Sequence, residues 1–129
     1  MYKFGKKSLE RLNNKQFHPA LKLLMEKAIV TSLLDFTVIE TVRTKEQQSL
    51  NVKKGVSKTM LSRHIPATNK SGYSEAVDIA PYPIDWSDIE RFKQLAKHIK
   101  KTATLMGVKI EWGGDWKTFK DYPHWQLKK

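Results

Sequence analysis

The spacing of apolar positions changes period several times along the chain, and each change predicts an element. After His18-Pro19, apolar residues at Leu21, Leu24, Ala28 and Val30 recur at loosely helical intervals, so Ala20 to Leu33 is predicted to be a helix with Pro19 in its first turn. Phe36-Thr-Val-Ile-Glu-Thr-Val42 is rich in β-branched residues and predicts a strand. Thr44 to Lys54 reads as a helix stopped by Gly55. From Lys58 to Tyr73 there is little periodicity, and Pro66, Asn69, Ser71 and Gly72 predict a loop. Glu75 to Ile79 predicts a short strand ended by Pro81 and Pro83. The clearest helix follows: Ile89, Phe92, Ala96, Ile99, Ala103 and Met106 step by threes and fours, Ser87 and Glu90 suggest a capping box, and Gly107 closes it. Val108 to Trp112 and His124 to Leu127 read as strands.

Helices and strands alternate irregularly rather than as repeated βαβ units, which favours an α+β fold with a small antiparallel sheet flanked by helices. The 129 residues suit one domain over 1–129, with no linker composition and no repeat, so no second module is expected. Cysteine is absent, which excludes disulfides and thiolate metal sites and leaves His and carboxylate as ligands for any metal. Early basic residues are not followed by an apolar run of signal-peptide length, and Thr31, Ser32 and Asp35 interrupt the longest apolar stretch. The protein is therefore expected to stay in the cytoplasm until something else releases it. A net charge of +11 attracts polyanions, whether nucleic acid or an anionic bacterial envelope, and equally serves plain solubility.

Four residues stand out as candidates for chemistry: His64, Asp78, Asp121 and His124. His18, before a helix, and His98, off the apolar stripe of its helix, read as structural. Strand alternation turns Val77 and Ile79 to one side and Asp78 to the other; it likewise separates Trp125 and Leu127 from His124 and Gln126. If the apolar set faces the core, Asp78 and His124 share the opposite face of one sheet. That pattern describes a concave polar site or merely the solvent face of half-buried strands, and periodicity does not choose between them.

Ser62-Arg-His64 followed by Glu75-Ala76-Val77-Asp78 resembles the Ser-x-His…Ala-x-Asp signature of D-alanyl-D-alanine carboxypeptidase-type zinc peptidases. Asp121-Tyr-Pro-His124-Trp is similar to the second signature of that family, an acid shortly before the third ligand. Arg43-Thr-Lys-Glu-Gln47 looks like its Arg-Thr-x-x-Glu-Gln segment, and Trp112-Gly-Gly-Asp-Trp116 like the Gly-Asp-Trp segment of its phage members. The match is best to the bacteriophage L-alanyl-D-glutamate endopeptidases, the endolysins, from about Phe36 to Leu127. One departure is a longer spacer between His64 and Asp78, Ile65 to Val77, which reads as an extended loop before the same strand.

The resemblance implies one catalytic zinc held by His64, Asp78 and His124 on the open face of the sheet, with a fourth position for water. It implies Asp121 as general base, later protonating the leaving amine. Arg43 would hold a substrate carboxylate or the oxyanion through its guanidinium fork, or else form a surface salt bridge such as one to Glu46. Gln47 and Ser62 would line the substrate site, although Ser62 also fits an ordinary loop serine. Trp125 is assigned to the core; Trp112 and Trp116 read more readily as core than as substrate platforms, while Tyr73 and Tyr82 fit either role. The implied activity is hydrolysis of the L-Ala–D-Glu bond of peptidoglycan during phage lysis, by a monomer whose positive charge draws it to the anionic envelope. The same site could serve as a D,D-carboxypeptidase, although that activity normally needs export. A basic nucleic-acid-binding domain would explain the charge but gives the four residues no role, and no signature supports it.

Overall fold

In the computed structural model, which describes residues 1–55 and 62–129, four short strands form one antiparallel sheet. They are β1 (Phe36–Glu40), β2 (Ala76–Pro81), β3 (Ile110–Trp112) and β4 (His124–Leu127), in the spatial order β1-β2-β4-β3. Helices α1 (Lys6–Leu12), α2 (Pro19–Thr31), α3 (Lys45–Lys53) and α4 (Ile89–Met106) complete the α+β fold. The expected loop contains a 3₁₀ turn at Pro66–Thr68, and its first residues, 58–61, lie outside the described residues.

The sheet is two-faced because its strands alternate. Val38, Val77, Ile79 and Trp125 are buried toward the helices and form the floor of the core. Onto that floor α2 places Leu21, Leu24, Met25, Ala28 and Ile29, and α4 places Phe92, Leu95, Ala96, Ile99 and Ala103. Both sets follow the i, i+3, i+4, i+7 recurrence of one helical face. Full burial of each large apolar side chain stabilises the fold by roughly 1.5–3 kcal/mol. His98 joins the two helices: its Nε2 lies 2.9 Å from the Ala28 carbonyl and 3.2 Å from Thr31 Oγ1. His18 caps α2, its Nδ1 accepting from Ala20 N–H at 3.1 Å. Both histidines are structural, as the sequence suggested.

Three expectations are corrected. Strand β1 ends at Glu40 rather than Val42, and β3 begins at Ile110 rather than Val108. The cap of α4 is Asp88, whose carboxylate accepts from Arg91 N–H at 3.3 Å; Ser87, the expected cap, instead donates its hydroxyl to Asp85 at 2.6 Å. Asp85 competes successfully for the serine, so the helix starts one residue later. Helix α1 was not foreseen. It covers the β1 edge: Ser8 Oγ accepts from Val38 N–H at 3.0 Å, and Arg11 donates to the Val38 carbonyl at 2.8 Å. Two side chains thus stand in for a fifth strand and close an edge that would otherwise present unpaired backbone groups.

Strand β1 also carries a bulge. Val38 pairs with Ile79, but the next pair is Glu40 with Asp78, so Ile39 is the extra residue. The extra residue reverses the facing of Glu40 and turns it to the polar side of the sheet, beside Asp78.

Candidate metal centre

On the face opposite the core, strand pairing brings Asp78 of β2 directly across from His124 of β4. His64 arrives from the segment between α3 and β2. That segment is longer than the family pattern but tightly tied. Arg63 donates to Glu75 at 2.6 Å, to the Leu127 carbonyl at 2.9 Å and to Asn69 Oδ1 at 3.1 Å. Asn69 in turn donates to the carbonyls of Arg63 and Tyr73. Backbone bonds from Arg43 N–H to the His64 carbonyl and from Glu75 N–H to the Arg63 carbonyl fix the His64 main chain between β1 and β2.

The outcome is a compact triad. His64 Nε2 and His124 Nδ1 each lie 3.1 Å from Asp78 Oδ1, and one ligand atom from each residue falls within 4.8 Å of the others. Both histidines are buried, and their rings meet edge to face at 5.2 Å. The outer nitrogens are engaged as well. His64 Nδ1 is 3.0 Å from the Thr41 carbonyl, and His124 Nε2 is 2.8 Å from Gln126 Oε1. Both partners are acceptors, so each outer nitrogen carries its hydrogen. A neutral ring then turns a bare lone pair inward. Two imidazole lone pairs and a carboxylate converging on one point repel one another unless a proton or a metal cation lies between them: a proton on an inner nitrogen makes the hydrogen bonds to Asp78, and His₂/carboxylate is a donor set suited to zinc in its place.

The electrostatics agree with the geometry. Burial alone would raise the Asp78 pKa, but hydrogen bonds from His124 and His64 and attraction to their rings hold the carboxyl far below the ordinary aspartate range. Burial opposes protonation of His124, yet its hydrogen bond to Asp78, the Asp78 charge and the contact with Gln126 push its pKa up. The site favours positive charge at its centre.

Asp121 lies outside this ligand group. Its N–H donates to the Gly113 carbonyl at 3.0 Å, and its carbonyl accepts from His124 N–H at 3.2 Å, so one tight turn positions both acid and histidine. Burial raises the Asp121 pKa and repulsion from Asp78 adds to this, while His124, His64 and Arg43 offset part of the rise. Gly113 and Gly114 make this packing possible. A Cβ on Gly113 would sit 2.3 Å from the Asp121 carbonyl oxygen, and one on Gly114 would sit 2.3 Å from the Trp112 ring.

Arg43 pairs with Glu40, not with Glu46, and donates to Gln48 Oε1 at 2.6 Å. Gln48 is wholly buried, whereas Gln47 is exposed and donates to Asn51 at 2.9 Å. Ser62 Oγ accepts from His64 N–H at 3.2 Å and so supports the histidine's backbone. Trp112 stacks on Trp125 in the core, while half-buried Trp116 stands 5.3 Å from the His124 ring as a wall of the site. Glu40, Gln48, Glu111 and Gln126 touch the site or its supports without having been singled out in the sequence. Strand alternation had at least placed Gln126 on the same face as His124.

The chain matches the family model for phage L-alanyl-D-glutamate peptidase over residues 1–128. It is 32% identical over 131 residues to the L-alanyl-D-glutamate peptidase of Escherichia phage T5, covering 99% of this chain and 90% of that protein. Identity is 29% over 121 residues to the peptidoglycan L-alanyl-D-glutamate endopeptidase CwlK of Bacillus subtilis, covering 85% and 72%. Its fold is similar to the crystal structure of the Serratia marcescens L-Ala D-Glu endopeptidase ChiX, with a TM-score of 0.82 and 34% identity over 98% of this chain and 90% of that one. A His/Asp/His triad with both histidines buried on the polar face of a four-stranded antiparallel sheet, together with these likenesses along nearly its whole length, makes this chain a member of the phage L-alanyl-D-glutamate peptidase family.

Proposed function

We propose that this protein is a zinc-dependent endopeptidase that hydrolyses the L-Ala–D-Glu bond of peptidoglycan stem peptides as a phage lysis enzyme. The observation that carries this reading is the inward convergence of His64 Nε2, Asp78 Oδ1 and His124 Nδ1, with both outer nitrogens committed to acceptors. His64, Asp78 and His124 would hold the ion. When bound, zinc supplies an activated water and polarises the scissile carbonyl.

The remaining roles belong to the chain's own side chains. Asp121 takes a proton at its carboxylate and returns it to the leaving amine; a pKa raised by burial and by Asp78 suits a group that must both accept and release. Arg43, braced by Glu40 and Gln48, presents its guanidinium to a substrate carboxylate or to the developing oxyanion. Ser62 supports His64 by accepting from its N–H, and exposed Gln47 is proposed to contact the substrate. Among the described residues no helix is long and apolar enough to cross a membrane. The positive charge draws the enzyme to the anionic cell wall.

Digestion of purified peptidoglycan followed by mass spectrometry tests this reading. New amino-terminal D-Glu is expected from the wild type and is lost in His64→Ala. Release of free D-Ala instead would replace the endopeptidase reading with a carboxypeptidase one, and absence of any cleavage by the zinc-loaded wild type would overturn both.

A further inference from the structure

The polar face of the sheet continues past the triad. Strand β4 presents His124 and, two residues on, Gln126 to that face, and Gln126 lies directly opposite Glu111 of β3. The three side chains form a hydrogen-bonded row: Gln126 Nε2 donates to Glu111 Oε1, and Gln126 Oε1 faces His124 Nε2 at 2.8 Å. Half-buried Glu111 thus reaches His124 through one intervening amide.

The row has a direction imposed by chemistry. A carboxylate only accepts, so Glu111 demands the NH₂ end of the Gln126 amide. The carbonyl end is then left for His124. A carbonyl also only accepts, so His124 must keep a hydrogen on Nε2, which leaves Nδ1, the nitrogen facing Asp78, as the one a cation can take. We infer that Glu111 and Gln126 are positioning residues that set the His124 tautomer, and hence the nitrogen offered to the metal, by fixing the orientation of the amide. This rests on the metal-site reading above. His64 achieves the same end with the Thr41 backbone carbonyl, which has a single polarity and needs no second residue. An amide can be turned end for end, and Glu111 is what prevents it.

Glu111→Gln removes the constraint, because a Gln at that position accepts or donates. The Gln126 amide is then free to turn its NH₂ toward His124 and favour the wrong tautomer. The expected loss is about 10–100-fold in zinc affinity, the range seen when the supporting partner of a ligand histidine is removed. The charge-conserving exchange Glu111→Gln with Gln126→Glu restores the direction: the new amide donates to the new carboxylate, which accepts from His124 Nε2. That double variant is expected to recover most of the affinity.

Zinc affinity is measured by competition with a chromophoric chelator. The His124 tautomer is read from imidazole ¹⁵N shifts of the metal-free protein at an alkaline pH where the ring is neutral, and thermal unfolding of the metal-free protein controls for folding. Weakened zinc binding in Glu111→Gln, a shifted tautomer, unchanged unfolding of the metal-free protein and recovery in the exchanged pair support the inference. Unchanged affinity in Glu111→Gln overturns it. So does a loss that tracks reduced stability and is not recovered by the exchange, since Glu111 would then be merely structural. If the wild type itself binds no zinc, the metal-site reading fails instead, and the two failures are told apart by that one control.

Discussion

Asp121 and His124 share one turn, and Gly113 is what lets that turn close. Because a Cβ at Gly113 would meet the Asp121 carbonyl at 2.3 Å, Gly113→Ala should push the acid away from the triad. It is expected to cost about 1–3 kcal/mol in denaturant unfolding, as overpacking does, and to lower turnover as well. Asp121→Asn is the cleaner probe of chemistry. It should reduce turnover about 10²–10⁴-fold, the range for loss of a positioned base, while zinc content by atomic absorption stays at the wild-type level. Loss of zinc in that variant would make Asp121 a ligand. Individual residues differ in how far the sequence exposes them. His64, Asp78 and His124 stand in recognisable motifs, and alternation puts Asp78 and His124 on one face once Val77, Ile79 and Trp125 face the core. Glu40 was invisible, because its facing depends on a bulge at Ile39, and Glu111 was invisible because only the β3–β4 register puts it opposite Gln126.

At the scale of elements, α4 shows how small a margin separates neighbouring caps. Asp88→Ala should destabilise the protein by about 1 kcal/mol in thermal or denaturant unfolding. Ser87→Ala should do less, because that hydroxyl serves an exposed turn with Asp85. Ser87 and Asp88 are both capable caps, and the choice between them is made by Asp85 rather than by the helix. Helix α1 escaped notice for a related reason. Seven residues are too few for a self-sufficient helix, and its stability comes from covering the β1 edge through Ser8 and Arg11. The segment that delivers His64 depends on Arg63 and Glu75. Burial opposes ionisation of Glu75, but hydrogen bonds from Ser71 and Arg63 and the Arg63 charge lower its pKa. A lowered folded-state pKa means that the contribution is complete above the ordinary glutamate range and is lost as pH falls through the folded value. Glu75→Gln should therefore cost about 1–2 kcal/mol near neutrality. The gap from wild type should close as pH drops below the ordinary glutamate range, as followed by urea unfolding at a series of pH values.

For the whole molecule, the triad ties β2, β4 and the 62–65 segment into one unit, so a bound ion stabilises the native fold by mass action. Zinc at a hundred times its dissociation constant should add about 2.7 kcal/mol, and chelation should lower the melting temperature while abolishing cleavage. An unchanged melting temperature on chelation would argue against binding at this site. The strongly periodic α4, the more loosely periodic α2 and the apolar face of the sheet are legible in the residues themselves, because burial of one face imposes a period on the residues that supply it. So are the donor types: with no cysteine, a metal could be held only by His and carboxylate. Which groups converge is settled by tertiary pairing. Strand register set Asp78 against His124 and Gln126 against Glu111, the Ile39 bulge turned Glu40 to the polar face, and the Arg63–Asn69–Glu75 ties brought His64 across a long spacer. Register and loop closure join residues far apart in the chain, and local spacing carries no record of such pairings, whereas the period of a buried face is written into every few residues.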